Sequence, residues 1–151
     1  MKRLLIFFTL CILIGRVSAQ VGGRLTQIVN TEQATYGQAS YIAAVSAGLA
    51  QDTDSYERCF EILKEENCTS ARHSLKDSIT VKYFADMLCK TFSVNNSVAY
   101  RFVRVPRYAY KQLKAAGVIP DNYYPNRILS GSEMMNTLTL FVENYNISES
   151  N

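Results

Sequence analysis

A chain of 151 residues, 48% of them hydrophobic, is long enough for one domain with a substantial core and too short for several. Its net charge of +3 rests on Lys2, Arg3 and Arg16; beyond residue 19 the chain carries thirteen basic and thirteen acidic side chains, which excludes a nucleic-acid binder built on bulk charge. The cysteines beyond that point are Cys59, Cys68 and Cys89, too few for a disulfide scaffold, so the fold must rest on packing.

The first element is a leader. Lys2 and Arg3 precede an apolar run from Leu4 to Gly15, and Val17-Ser18-Ala19 then offers small or short side chains to a signal peptidase. This tripartite order predicts an exported protein cleaved after Ala19, with a single domain over residues 20–151. The apolar run is too short to span a bilayer stably, and no second long run follows, so no transmembrane helix is expected after cleavage.

Five helices are predicted, the first in the N-terminal region 20–55. Asn30-Thr31-Glu32-Gln33 reads as a capping box opening a helix with Tyr41, Ile42, Val45 and Leu49 on one side. Asp54-Ser55-Tyr56-Glu57 opens the second, where Tyr56, Cys59, Phe60 and Leu63 fall at amphipathic spacing. Thr80 caps a third, with Val81, Phe84, Leu88 and Phe92 on its stripe. Pro106 starts a fourth, which stops at Gly117. Ser130-Gly131-Ser132-Glu133 is a further capping box before Met134, Leu138, Phe141, Val142 and Tyr145. Tyr100 to Val105 alternates and reads as extended, and Ser148 to Asn151 as frayed.

Phe60–Leu88 laid over Tyr110–Leu138 aligns without a gap at an offset of fifty residues. Phe60 meets Tyr110, Leu63-Lys64 meets Leu113-Lys114, Ile79-Thr80 meets Leu129-Ser130, Phe84 meets Met134 and Leu88 meets Leu138. The expected architecture is all-α: a bundle of helical hairpins from two degenerate repeats, 56–92 and 106–146, plus an N-terminal helix.

The second copy, Leu113-Lys114-Ala115-Ala116-Gly117-Val118-Ile119-Pro120, then Tyr124-Pro125, then Leu129-Ser130-Gly131-Ser132-Glu133-Met134, resembles the S-layer homology repeat of bacterial cell envelopes. The first copy, Phe60 to Phe92, resembles it more loosely. The resemblance implies helical hairpins arranged as prongs, with grooves that bind wall glycans or their anionic polymers. The family caps its second helix with Thr-Arg-Ala-Glu, where this chain has Thr80-Val81-Lys82-Tyr83 and Ser130-Gly131-Ser132-Glu133. Glu133 keeps the acid, and neither copy keeps the arginine. The family also leads one to expect three units; the helix after Asn30 reads as the remnant of the third.

Chemistry-bearing residues are sparse. His73 is the only histidine and reads as an exposed loop residue; no metal-ligand spacing, nucleophile motif or phosphate loop appears, so no cofactor and no metal are expected. Cys59 and Cys89 read as small core residues, while Cys68 has the position to pair with one of them in an oxidising compartment. Asn67-Cys68-Thr69, Asn95-Asn96-Ser97 and Asn146-Ile147-Ser148 match the N-glycosylation triplet, which matters only in a eukaryote.

The ligand surface is expected in Tyr100–Lys111, where Arg101, Arg104, Arg107, Tyr108 and Lys111 combine cations and flat rings without an acid. Glu133 joins them through the resemblance. The same segment also reads as a connector whose aromatics pack inward. The sequence thus points to an exported, non-catalytic binding or assembly module in the periplasm or envelope, whose partner is a cell-wall polymer or another envelope protein. The alternative is a small secreted enzyme or a carrier that holds an apolar ligand inside the bundle.

Overall fold

The structure, a computed structural model, describes residues 22–94, 103 and 105–147. The leader, the Asn95-Asn96-Ser97 triplet, Tyr100, Arg101, Phe102, Arg104 and the tail from Ser148 lie outside the described residues. The described part is all-helical: α1 (22–29), α2 (Tyr36–Ser46), α3 (Tyr56–Glu65), α4 (Val81–Thr91), α5 (Pro106–Ala115) and α6 (Gly131–Asn144). Two isolated bridges, Thr35 with Ser78 and Thr80 with Ile128, are the β-type pairings among these residues.

The amphipathic stripes form the core as their spacing requires. Cys59, Phe60 and Leu63 of α3, Val81, Phe84 and Leu88 of α4, and Met134, Leu138 and Phe141 of α6 are all buried. Leu63 and Leu113 are both fully enclosed, and Lys64 and Lys114 each lie over the ring four residues earlier, Phe60 at 5.5 Å and Tyr110 at 5.7 Å. Helix α2 is apolar nearly all round and sits centrally. It packs along α3 and also touches α4 and α6.

Two features of the N-terminal region differ from the sequence expectation. Helix α1 is an addition, since only Ile28 within it is buried and no stripe announces it. Helix α2 starts at Tyr36 rather than behind Asn30. The capping box is Thr35 with Gln38, with both reciprocal bonds made, because Thr31, Glu32 and Gln33 are taken up in the turn leaving α1. The helix ends at Ser46, so Leu49 falls beyond it and is exposed.

Three helix starts meet at one point. The amide of Ala34 donates to the carbonyl of Leu129 (2.8 Å), that of Leu129 to Ile79 (3.2 Å), and that of Ile79 to Ala34 (2.8 Å), which closes a ring. Each of these residues precedes an N-cap hydroxyl: Thr35, Thr80 and Ser130. The next amides run around the ring in the opposite sense, Tyr36 to Asp77, Val81 to Arg127 and Gly131 to Thr31. A helix leaves its first amides without intrahelical partners, and here a neighbouring loop supplies the carbonyls. At Gly131 the approach is so close that a Cβ would stand 1.6 Å from the carbonyl oxygen of Ile28.

The helix pairs that pack most extensively are α2 with α3 and α4 with α5. The hairpins therefore straddle the boundaries of 56–92 and 106–146 instead of coinciding with them. The loops after α3 and α5 spend their carbonyls on the neighbouring helix starts, while residues 47–55 return α3 alongside α2.

Candidate functional site

A concavity joining several elements lies where the loop after α3 crosses the first turns of α2 and α4. It has a volume of about 550 Å³, and its walls include Tyr36, Arg72, His73, Tyr83, Asp86 and Lys90. Ligand clefts typically span roughly 300–1,000 Å³.

Local structure places each wall residue. Tyr36 is the first helical residue of α2, and its backbone amide donates a hydrogen bond to the carbonyl of Asp77. The loop is folded on itself by the Ser74 amide donating to the Asp77 carboxylate at 2.7 Å and the Arg72 amide donating to Ser70. This turn brings His73 flat against Tyr36, with ring centroids 4.4 Å apart and planes 13° from parallel. Tyr83, from the first turn of α4, meets the His73 ring edge-on at 4.8 Å. Gly37 lets the loop approach, since a Cβ there would come within 2.9 Å of the Leu75 side chain. One helical turn beyond Tyr83, Asp86 pairs with Lys90 at 2.7 Å.

Lys90 is matched by Asp86, and Arg72 brings a second cation to the wall. Burial, with smaller contributions from Tyr83, Asp77 and Asp86, raises the Tyr36 hydroxyl well above its ordinary value and keeps it a proton donor. That hydroxyl is buried and has no hydrogen-bond partner among the described residues. Such a group costs about 1–3 kcal/mol of desolvation. Among the described residues no group of three or more His, Cys, Asp or Glu side chains could hold a metal ion.

In the fifty-residue register, His73, Asp77 and Tyr83 correspond to Tyr123, Arg127 and Glu133. There the polar groups answer each other. Arg127 lies over the Tyr123 ring at 4.3 Å and forms an ion pair with Glu133, whose other carboxylate oxygen accepts the Ser130 amide. Burial alone would raise the Glu133 carboxyl, but the bonds from the Ser130 amide and the Tyr123 hydroxyl, with the Arg127 charge, hold it below the ordinary value.

Of the ligand residues expected from sequence, Arg101 and Arg104 lie outside the described residues. Arg107 and Lys111 are exposed on α5, and Tyr108 is half-buried with the Lys111 ammonium 5.9 Å from its ring centre. Glu133 stands apart from that set, in the cap of α6. The preceding residue, Pro106, borders the cleft, so the exposed cations of α5 begin at its edge.

His73 corrects an expectation: it is half-buried between two rings rather than exposed. Sequence reasoning also missed Tyr36, Arg72, Tyr83, Asp86 and Lys90. The fifty-residue register was the one available signal, since it sets His73 and Tyr83 against Tyr123 and Glu133. The three cysteines are free and buried. Burial pushes each thiol up, Cys89 to about 12. No helix among the described residues is long and apolar enough to cross a membrane. A scan against protein-family models finds no match, and neither do comparisons with curated proteins and with solved structures.

Proposed function

We propose that this chain is exported to a cell envelope and acts there as a non-catalytic binding module, similar to degenerate S-layer homology repeats, that holds wall glycan or an associated anionic polymer. The observation that carries the reading is the ring of amide–carbonyl bonds joining Ala34, Ile79 and Leu129. Three starts of one pattern, an aliphatic residue and then a hydroxyl cap, converge on one point, as three copies of one unit would. The third copy expected from the family resemblance is then Ala34-Thr35-Tyr36, ahead of α2 rather than at Asn30.

The thiols support a non-catalytic role, since burial keeps them protonated and a nucleophile needs the thiolate. A polyanion is served by the exposed Arg107 and Lys111 on α5, with Arg101 and Arg104 close by in the sequence. Sedimentation with purified cell wall tests the reading. An Arg104→Ala/Arg107→Ala double variant should bind less than the parent at low salt and approach it as salt screens the exposed contacts. Equal binding by both at every salt would remove these arginines from the site.

A further inference from the structure

The fifty-residue register that matches the apolar positions of α3 and α5 inverts their charges. Residues 52–66 carry six acids and two bases, whereas residues 102–116 carry four bases and no acid. On the helices themselves Glu57 answers to Arg107 and Glu61 to Lys111, and all four side chains are exposed. Arg24 of α1 donates to the carbonyls of Asp52 and Asp54 and offsets one of the acids. Glu61 is met by Lys64 at 3.0 Å, an exposed pair that leaves its carboxylate with further lone pairs to offer. Glu57, Arg107 and Lys111 form no ion pair among the described residues.

Like charges are stacked on each helix. Glu57, Glu61 and Glu65 follow one another at one-turn spacing, as do Arg107 and Lys111, and like charges at that spacing repel. Arg107 also stands in the first turn of α5, where the helix dipole disfavours a cation and no acid compensates it. The stripes do not neutralise each other within one chain. Helix α3 packs along α2 and α5 along α4, and α3 and α5 form no extensive contact with each other among the described residues.

We infer that α3 and α5 are the two halves of one self-association interface: Arg107 and Lys111 of one copy of this chain dock on Glu57 and Glu61 of a second copy. The occupant is another copy rather than an unrelated acidic helix because the complementary pattern lies in this same sequence, at the same one-turn spacing and in the same register. Two different patches meet, so the contact is heterologous, and a pair of copies still offers one free α3 and one free α5. The product is a head-to-tail row of copies. The inference goes beyond wall binding and does not rest on it. Arg107 and Lys111 are also the cations offered to a polyanion, so a polyanion and a neighbouring copy compete for α5.

The test uses the exported chain, residues 20–151, without wall, in sedimentation equilibrium at protein concentrations up to about 1 mM, because exposed ion pairs bind weakly. At low salt the weight-average mass should rise with concentration past that of a dimer, and at about 0.5 M salt it should return towards the monomer. Glu57→Gln/Glu61→Gln and Arg107→Gln/Lys111→Gln should each weaken association about tenfold, the worth of two surface ion pairs. Mixed in equal amounts, the two variants keep one intact pairing between them, α5 of the first against α3 of the second. The mixture should therefore associate with the affinity of the parent contact yet stop at a dimer. Substitutions that merely loosened the fold would not be rescued by mixing.

A parent that stays monomeric at every concentration, that stops at a closed dimer, or whose association is indifferent to salt would overturn the proposal. So would either double variant associating as the parent does, or a mixture that associates no better than its components. Because no wall is present, failure here leaves the wall reading untouched, and failure to sediment with wall leaves this interface untouched.

Discussion

The amide of Ile79 donates to the carbonyl of Ala34 at 2.8 Å, joining the residue that precedes the cap of α4 to the one that precedes the cap of α2. With Leu129 the two residues complete the ring that fixes where the first turns of α2, α4 and α6 stand. It therefore also fixes the cleft, because Tyr36 and Tyr83 belong to two of those first turns.

Gly131 is the most constrained residue near the ring. A Cβ there would meet the Ile28 carbonyl at 1.6 Å, and backbone on both sides must move to admit it. Gly131→Ala should cost about 3 kcal/mol, the upper end for overpacking. Gly48→Ala meets open space but sits at φ +70° and should cost about 1 kcal/mol. Urea denaturation of both variants checks the order; equal costs would mean that the approach of α1 to α6 does not hold Gly131 in place.

The cap hydroxyls of α4 and α6 are not equivalent. Ser130 accepts the Glu133 amide at 3.2 Å in a complete capping box, whereas the Thr80 hydroxyl makes no cap bond and is buried without a partner among the described residues. Ser130→Ala should therefore cost about 1 kcal/mol. Thr80→Val should be neutral or slightly stabilising, because it replaces an unsatisfied hydroxyl with a methyl of the same shape. Thermal melts of the two variants compare them directly, and a larger loss at Thr80 would contradict the assignment.

Glu133 sets a pH dependence. Its carboxyl lies below the ordinary value of 4.5 in the folded protein, so the stabilisation it contributes is complete above that value and is lost as pH falls through the lowered one. The stability gap between the parent and Glu133→Gln should be widest at neutral pH and should shrink below about pH 4. Urea midpoints at pH 7 and pH 3 measure it. A gap that does not change would mean that the Arg127 and Ser130 contacts contribute nothing to folding.

The three thiols should be slow to react. All are buried and pushed towards the protonated form, Cys89 to about 12. With residues 20–151, Ellman's reagent should find no fast thiol in the native state and three after denaturation. A fast native thiol at Cys68, which borders the cleft, would show that the loop after α3 opens readily.

Much of the fold was legible in the sequence because it is local. The stripe of α3 needs only Cys59, Phe60 and Leu63 at helical spacing, Pro106 marks the start of α5, and Gly117 takes the φ of +77° that ends it. Helix α1 was not legible because a short helix with Ile28 as its one buried residue has no periodicity to read. The start of α2 was misplaced because Asn30-Thr31-Glu32-Gln33 and Thr35-Tyr36-Gly37-Gln38 both satisfy the capping pattern, and only the bonds to Leu129 and Asp77 decide between them. The cleft depends on the same long-range bonds. Nothing local to His73 announces that Tyr36 stacks on it.

Binding to cell wall, as proposed, is tested most directly by sedimentation of residues 20–151 with purified wall, with and without prior removal of the anionic polymers, over a range of protein concentration. Saturable co-sedimentation that weakens when the polymers are stripped and when salt is raised is the expected result. A chain that stays in the supernatant with intact wall at every concentration would contradict it.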